Sequence, residues 1–299
     1  MPRNLLPILL LLILGNSLFA KNYRLYFLGG QSNMNGFGYN KDLPADLQGP
    51  MEDVMIFHGN DAADGEAEAD GRGIWSPLQP GHGVKFRSDG EKNNYSQRFG
   101  LELTFARELK AQYPDEAFAF IKYARSGSSI DSLAASRFGC WEPDFQGETG
   151  INQWDHFLAT MRYALEIEDI DGDGEADQLI ACGILWMQGE GDGSFDTEIA
   201  SHYEDHLNRI MGLIREQMGD SETPVVIGKI SDSGRHKRGK VWQYGELIML
   251  AQEEFVRKDP HAAIVRSTKN YAYSDPWHYD SEGYLDLGKQ FALALQTIQ

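Results

Sequence analysis

A chain of 299 residues suits one large α/β domain or two small ones, and can bury a sizeable core. Its 41% hydrophobic and 11% aromatic content argues against disorder. A formal net charge of −18 disfavours nucleic acid or anionic membrane as a partner, and fits a soluble protein working on neutral substrates.

The chain opens with "MPRNLLPILLLLILGNSLFA", which has one Arg near its start, an apolar run, and Ala20 before Lys21. This predicts a secretory signal peptide over 1–20 and a single domain over 21–299, exported to a periplasm or the cell exterior. The run falls short of the roughly twenty residues a membrane span needs, so no stable membrane insertion is expected. Leu18 occupies the usual second small position of a cleavage site, which leaves a retained N-terminal anchor as the alternative.

Strands are predicted at 23–28, 54–58, 117–123, 178–186, 224–230 and 262–266. Several are continuous apolar runs, as expected of strands covered on both faces. Helices are predicted at 99–112, 154–167, 197–218, 241–258 and 281–298. In the first, Leu101, Phe105 and Leu109 recur at spacing four; in the second, Phe157, Met161 and Leu165 do so. The alternation predicts a three-layer α/β/α sandwich around a mainly parallel sheet. Residues 60–98, rich in Gly, Asp, Glu and Asn, read as long surface loops. Cys140 and Cys182 lie far apart in sequence, and their spacing decides neither for nor against a bridge.

Ligands of open parallel sheets bind beyond the carboxyl ends of the strands. Four loops follow strands there. They carry Gly30-Gln31-Ser32-Asn33, then "YARSGSSI" with Gly127, then "WMQGEGD" with Gln188 and Glu190, then "YAYSDPWHYDSEG" with Asp275 and His278. Serine chemistry needs a nucleophile, a base, a group that orients the base, and donors for the oxyanion. Ser32 fits the nucleophile, His278 the base and Asp275 its partner. The N–H groups of Ser32 and Gly127, with the Gln188 amide, fit the oxyanion donors. Gln31, Asn33 and Glu190 fit supporting roles. Each piece has a plainer reading: Ser32 as a helix cap, Gly127 as a tight turn, Asp275 and His278 as a surface turn. Their joint placement after successive strands favours catalysis. The G-x-S-x-G elbow of α/β-hydrolases is absent, because Met34 stands where its last Gly belongs.

The ordered stretches "GQSNMNG", "YARSGSSI", "WMQGEGD" and "DPWHYDSEGYLDLG" resemble the motifs of the SGNH-hydrolase superfamily. More narrowly they resemble the sialate O-acetylesterase and carbohydrate esterase family 6 group, which includes acetyl xylan esterases. The resemblance runs from about Tyr23 to the C-terminus. It implies a flavodoxin-like α/β/α sandwich and metal-free removal of O-acetyl groups from carbohydrate through an acyl-enzyme. It assigns Ser32, Asp275 and His278 as the triad, with Gly127 and Gln188 as oxyanion donors. Two positions depart from the pattern. Ser126 stands where a second Gly is frequent, and Met187 where a His is frequent. Met cannot hydrogen-bond as His does.

"DIDGDGEAD" places Asp169, Asp171, Asp173 and Asp177 at positions 1, 3, 5 and 9 of a Ca²⁺-type loop, with Gly174 at position 6. Ile180 stands where a bidentate Glu is expected, and a strand follows. Any Ca²⁺ here is structural, and an acidic turn is the alternative. Trp277, Tyr279 and Trp75 are candidates for stacking on sugar rings, with core packing the competing role. Two rival functions stay open: an esterase or lipase for other acyl groups, and a non-catalytic carbohydrate-binding module.

Overall fold

In the computed structural model, which describes residues 20–61, 69–147 and 151–298, the six apolar runs become six strands of a seven-stranded sheet. The predicted signal peptide lies almost wholly outside the described residues. The strands are β1 (Asn22–Gly30), β2 (Val54–His58), β3 (Trp75–Pro77), β4 (Ala117–Ala124), β5 (Gln178–Met187), β6 (Val225–Gly228) and β7 (Ala262–Val265). Their order is β7-β6-β5-β1-β4-β2-β3, and only the short edge strand β3 runs antiparallel to its neighbour. β4 is inserted between β1 and β2, whereas a flavodoxin sheet keeps its first two strands adjacent.

The helices are α1 (Ser32–Asn35), α2 (Glu102–Gln112), α3 (Gln153–Leu165), α4 (Thr197–Met218), α5 (Gly245–Lys258) and α6 (Ser281–Leu295). Successive side chains of a strand point to opposite faces. Tyr26 meets Phe105 of α2 edge-on, while Phe27 meets Phe157 of α3, so these two helices cover opposite faces of β1. α6 lies against α2 so closely that a Cβ on Gly288 would sit 2.2 Å from the Leu101 carbonyl oxygen. The sheet is thus enclosed between helical layers, as the β/α alternation predicts.

Element ends differ from the sequence expectation for local reasons. The helix expected from 241 starts at Gly245, because the Asp232 carboxylate accepts the N–H groups of Val241 and Trp242 and holds them in a loop. The helix expected from 99 starts at Glu102, since Arg98–Phe99 pairs with Gly38–Tyr39. Within the expected loop region, Trp75 belongs to β3 and donates its Nε1–H to the Ala164 carbonyl of α3, 2.9 Å away.

Among the described residues one ion pair is wholly buried. Lys122 of β4 donates to Glu102 Oε2 (2.9 Å), Asn35 O (3.0 Å) and His82 O (2.8 Å), with both charged side chains fully enclosed. Burial pulls the Lys122 pKa down, and Glu102 partly offsets this. The ammonium thereby ties the end of α1 to the sheet. Cys140 and Cys182 are both free thiols. No helix among the described residues is long and apolar enough to cross a membrane.

Candidate active site

From β1 the chain builds the sheet toward β4 and β2, then returns to add β5, β6 and β7 on the other side. The carboxyl ends of β4, β1 and β5 therefore flank the point where the strand order reverses, the usual ligand crevice of such sheets. Gly30 ends β1 at φ 138°, where a Cβ would fall 2.1 Å from the Met187 carbonyl oxygen. Glycine alone lets the chain turn there beneath β5. Gln31 takes the N-cap position of α1 without a capping side chain, and Ser32 is the first helical residue. The Ser32 side chain does not cap the helix.

Ser32, Gly127 and His278 line one cavity of about 530 Å³. The His278 ring is fixed on two sides. Its Nδ1 lies 2.7 Å from Asp275 Oδ2, and its face stacks on Phe37 with centroids 3.5 Å apart. Asp275 Oδ1 accepts the N–H groups of Trp277 and His278, so the carboxylate both shapes the turn and orients the ring. Burial pushes the His278 pKa below its ordinary value, with Asp275 partly offsetting it. Burial alone would raise the Asp275 pKa, but the bonds from His278 and Trp277 outweigh it and the net shift is downward. At neutral pH the pair is a neutral imidazole and a carboxylate. Ser32 Oγ has no hydrogen bond to His278 Nε2 among the described residues, a looseness common before substrate tightens a site.

Gly127 sits at φ 79°, and a Cβ there would lie 2.7 Å from the Phe138 ring. Among the described residues neither the Ser32 N–H nor the Gly127 N–H has a protein acceptor. Gln188 is placed differently from the sequence expectation. It is fully buried and does not line the cavity. Its Nε2 is committed to Gln31 Oε1 (3.2 Å), Ser128 O (3.2 Å) and Asp192 Oδ2 (2.7 Å). Gln31 does line the cavity. Its Oε1 accepts from Gln188 and from the backbone N–H groups of Gly189 and Gly191. Two backbone donors fix which end of the amide is oxygen. Its Nε2 has no acceptor among the described residues.

Asn33 and Glu190 form a buried strut behind the site. Asn33 donates to Glu190 Oε1 at 2.8 Å and accepts from the Tyr284 hydroxyl at 2.7 Å. Burial raises the Glu190 pKa to about 7, against the lowering effect of Asn33. Asp192 is the last residue of the "WMQGEGD" motif. It is fully buried, accepts from Ile130 N and Asp131 N, and has a pKa raised to about 6, chiefly by burial. Its spacing of four from Gln188 was the available signal. The Met187 side chain packs toward Gly228 in the core, so it leaves no gap in this polar network.

Trp277 lines the cavity and is half exposed, whereas Tyr279 is core and Trp75 lies at the sheet edge away from the cavity. Sequence reasoning missed Phe37, Phe138, Phe195 and Trp242, which line it too. Trp242 comes from the loop after β6, a fifth loop at the same sheet edge. In the acidic loop, Asp169, Asp171 and Asp177 bring carboxylate oxygens within 4.8 Å of one another, and Asp173 stands outside that group. Lys21 pairs with Asp171, and Tyr23 donates to the same carboxylate at 2.9 Å.

A serine, with a histidine held by an aspartate on the same cavity at the switch point of a parallel sheet, suits acyl transfer, and the family match places the chain among the carboxylic ester hydrolases. Within them it belongs to the carbohydrate esterase, sialic acid-specific acetylesterase family, whose model matches residues 22–297. Solved structures agree on the fold. An Arabidopsis thaliana protein is 19% identical over 92% of this chain and 98% of its own, with a TM-score of 0.64. A carbohydrate acetylesterase from Xanthomonas citri is 16% identical over 92% of this chain and 56% of its own, at 0.60. NanS is 15% identical over 94% and 98%, at 0.58. No curated protein matches the sequence.

Proposed function

We propose that this chain is an exported serine esterase that removes O-acetyl groups from carbohydrate through an acyl-enzyme. The observation that carries the reading is the Asp275–His278 pair on the cavity that Ser32 also lines. Ser32 Oγ attacks the acetyl carbonyl carbon while His278 Nε2 takes its proton. The Ser32 and Gly127 N–H groups hold the oxyanion, and the Gln31 amide takes the place first given to Gln188. The tetrahedral adduct collapses, and His278 protonates the departing sugar oxygen. Water, deprotonated by the same imidazole, then attacks the acetyl-serine and releases acetate. The half-exposed Trp277, on the same cavity as Trp242, suits a sugar ring, whose apolar face stacks on indole.

The test is acetate release from acetylated xylan and from O-acetyl sialic acid by the parent and by Ser32→Ala. Loss of roughly 10⁴-fold or more in the variant is expected. No release by the parent would point to a binding module. Preference for long acyl chains over acetyl would point to a lipase. A structural Ca²⁺ on Asp169, Asp171 and Asp177 belongs to the same proposal, since converging carboxylates repel one another without a cation. Lys21 competes for that role, and an absence of heat on titrating Ca²⁺ to about millimolar concentration, where weak extracellular modules bind, would dismiss the ion.

A further inference from the structure

The chain carries 45 acidic residues against 27 Lys and Arg, yet among the described residues no carboxylate lines the catalytic cavity, and the charged side chain in its lining is Arg137. Beside it runs the opposite of the average surface. The segment "GRHKRGK", 234–240, holds Arg235, His236, Lys237, Arg238 and Lys240 and no acid. Most of these side chains are exposed, and they lie in the loop between β6 and α5.

This loop is fastened to the catalytic turn. Ser233 donates to the Pro276 carbonyl at 2.8 Å, and Arg235 donates to the Tyr273 carbonyl at 2.7 Å. At its far end Asp232 accepts the N–H groups of Val241 and Trp242, which seats Trp242 on the cavity wall. Lys240 is paired with Glu246. Lys237 and Arg238 are exposed and have no side-chain partner among the described residues. The positive charge therefore lies in a loop anchored beside the mouth, on a chain whose net charge is −18.

We propose that this basic rim binds anionic groups, carboxylate or sulfate, on sugar residues flanking the acetylated one, so that the preferred substrate is an acetylated polyanionic glycan. This rests on the esterase reading and adds a substrate class to it. It also reverses the expectation drawn from net charge, because attraction at a mouth depends on the local field rather than on the chain total. Loose lysines of an ordinary surface would be interspersed with acids; here Arg235, Lys237 and Arg238 fall within four residues with no acid between them, in the loop that also brings Trp242 to the cavity.

The test compares the parent with Lys237→Glu/Arg238→Glu on acetylated polygalacturonate and on neutral acetylated xylan. The ratio of kcat/KM between the two polymers should fall about ten-fold in the variant, through KM. The parent's preference for the polyuronate should vanish at about 0.5 M salt. An unchanged ratio, or a preference insensitive to salt, would overturn the rim. Lys237→Ala gives a milder step in the same direction should the double variant fold poorly. Binding is read separately, as retardation of Ser32→Ala by unacetylated polygalacturonate or dextran sulfate in affinity electrophoresis. Retardation without ester hydrolysis by the parent keeps the rim and removes the esterase. Hydrolysis without retardation does the reverse.

Discussion

Replacing Lys122 with methionine removes one charge and leaves its partners in place. Lys122 and Glu102 are completely buried, and the ammonium makes three bonds of 2.8 to 3.0 Å. Methionine is of similar length, so the loss is electrostatic rather than a cavity. Stranding the Glu102 carboxylate costs about 3–5 kcal/mol. With unfolding entropy of about 2.1 cal/mol/K per residue over about 280 residues, Tm should drop by ~5–8 °C. Esterase activity should suffer as well, because Lys122 grips the carbonyl of Asn35, at the end of the helix that Ser32 begins. Calorimetry on Lys122→Met, Glu102→Gln and the double variant reads the coupling. The double variant should recover at least half of the loss, since no charge is then left unpaired. A single variant within about 0.5 kcal/mol of the parent, or strictly additive effects, would refute the reasoning.

In the proposed mechanism neutral His278 carries the chemistry, and its pKa is held down by burial, so kcat/KM should rise with pH through a value below about 6.5 and then level off. Asp275→Asn should cut kcat by roughly 10³–10⁴ and shift that limb to lower pH, because Asp275 raises the His278 pKa; a limb moving upward would contradict the pairing. Glu190 titrates near 7 in the fold, above its ordinary 4.5, so the folded state holds its proton more tightly. Its contribution is complete below about pH 4.5 and is lost as pH rises through about 7, by ~3 kcal/mol. Urea unfolding at pH 5 and pH 8 should therefore show a drop that Glu190→Gln flattens, and an equal drop in the variant would rule Glu190 out. Gly127→Ala forces a side chain into positive φ and against Phe138. It should lower kcat at least ~10-fold by displacing one oxyanion donor, and parent-like kcat would remove Gly127 from that role.

The strands were legible because both their faces are covered, which leaves apolar runs with little ambiguity. The places of Ser32, Asp275 and His278 at strand ends followed from the alternation and from the rule for parallel sheets. What could not be read was the direction of amides. Gln188 and Gln31 are the same residue type in adjacent loops, and only the two N–H groups of Gly189 and Gly191 decide which one faces the cavity. The insertion of β4 between β1 and β2 was equally hidden, since apolar runs carry no record of their neighbours. Trp242 was taken into a predicted helix because its flanking periodicity suits one. The carboxylate of Asp232, ten residues earlier, holds it in a loop instead.

The strut through Asn33 joins residues 157 and 251 positions apart, at Glu190 and Tyr284. The strand that delivers Ser32 precedes the other strands of the sheet and lies in its middle, while the histidine follows the last of them. Such distant pairing makes for slow closure. In the proposed mechanism it also means that catalysis waits until residue 278 has been made: a nascent or truncated chain ending before residue 270 holds Ser32 but neither Asp275 nor His278. Reaction of Ser32 with an active-site phosphonate thus reports completed folding, and labelling of such a truncated chain at the parent's rate would disprove it.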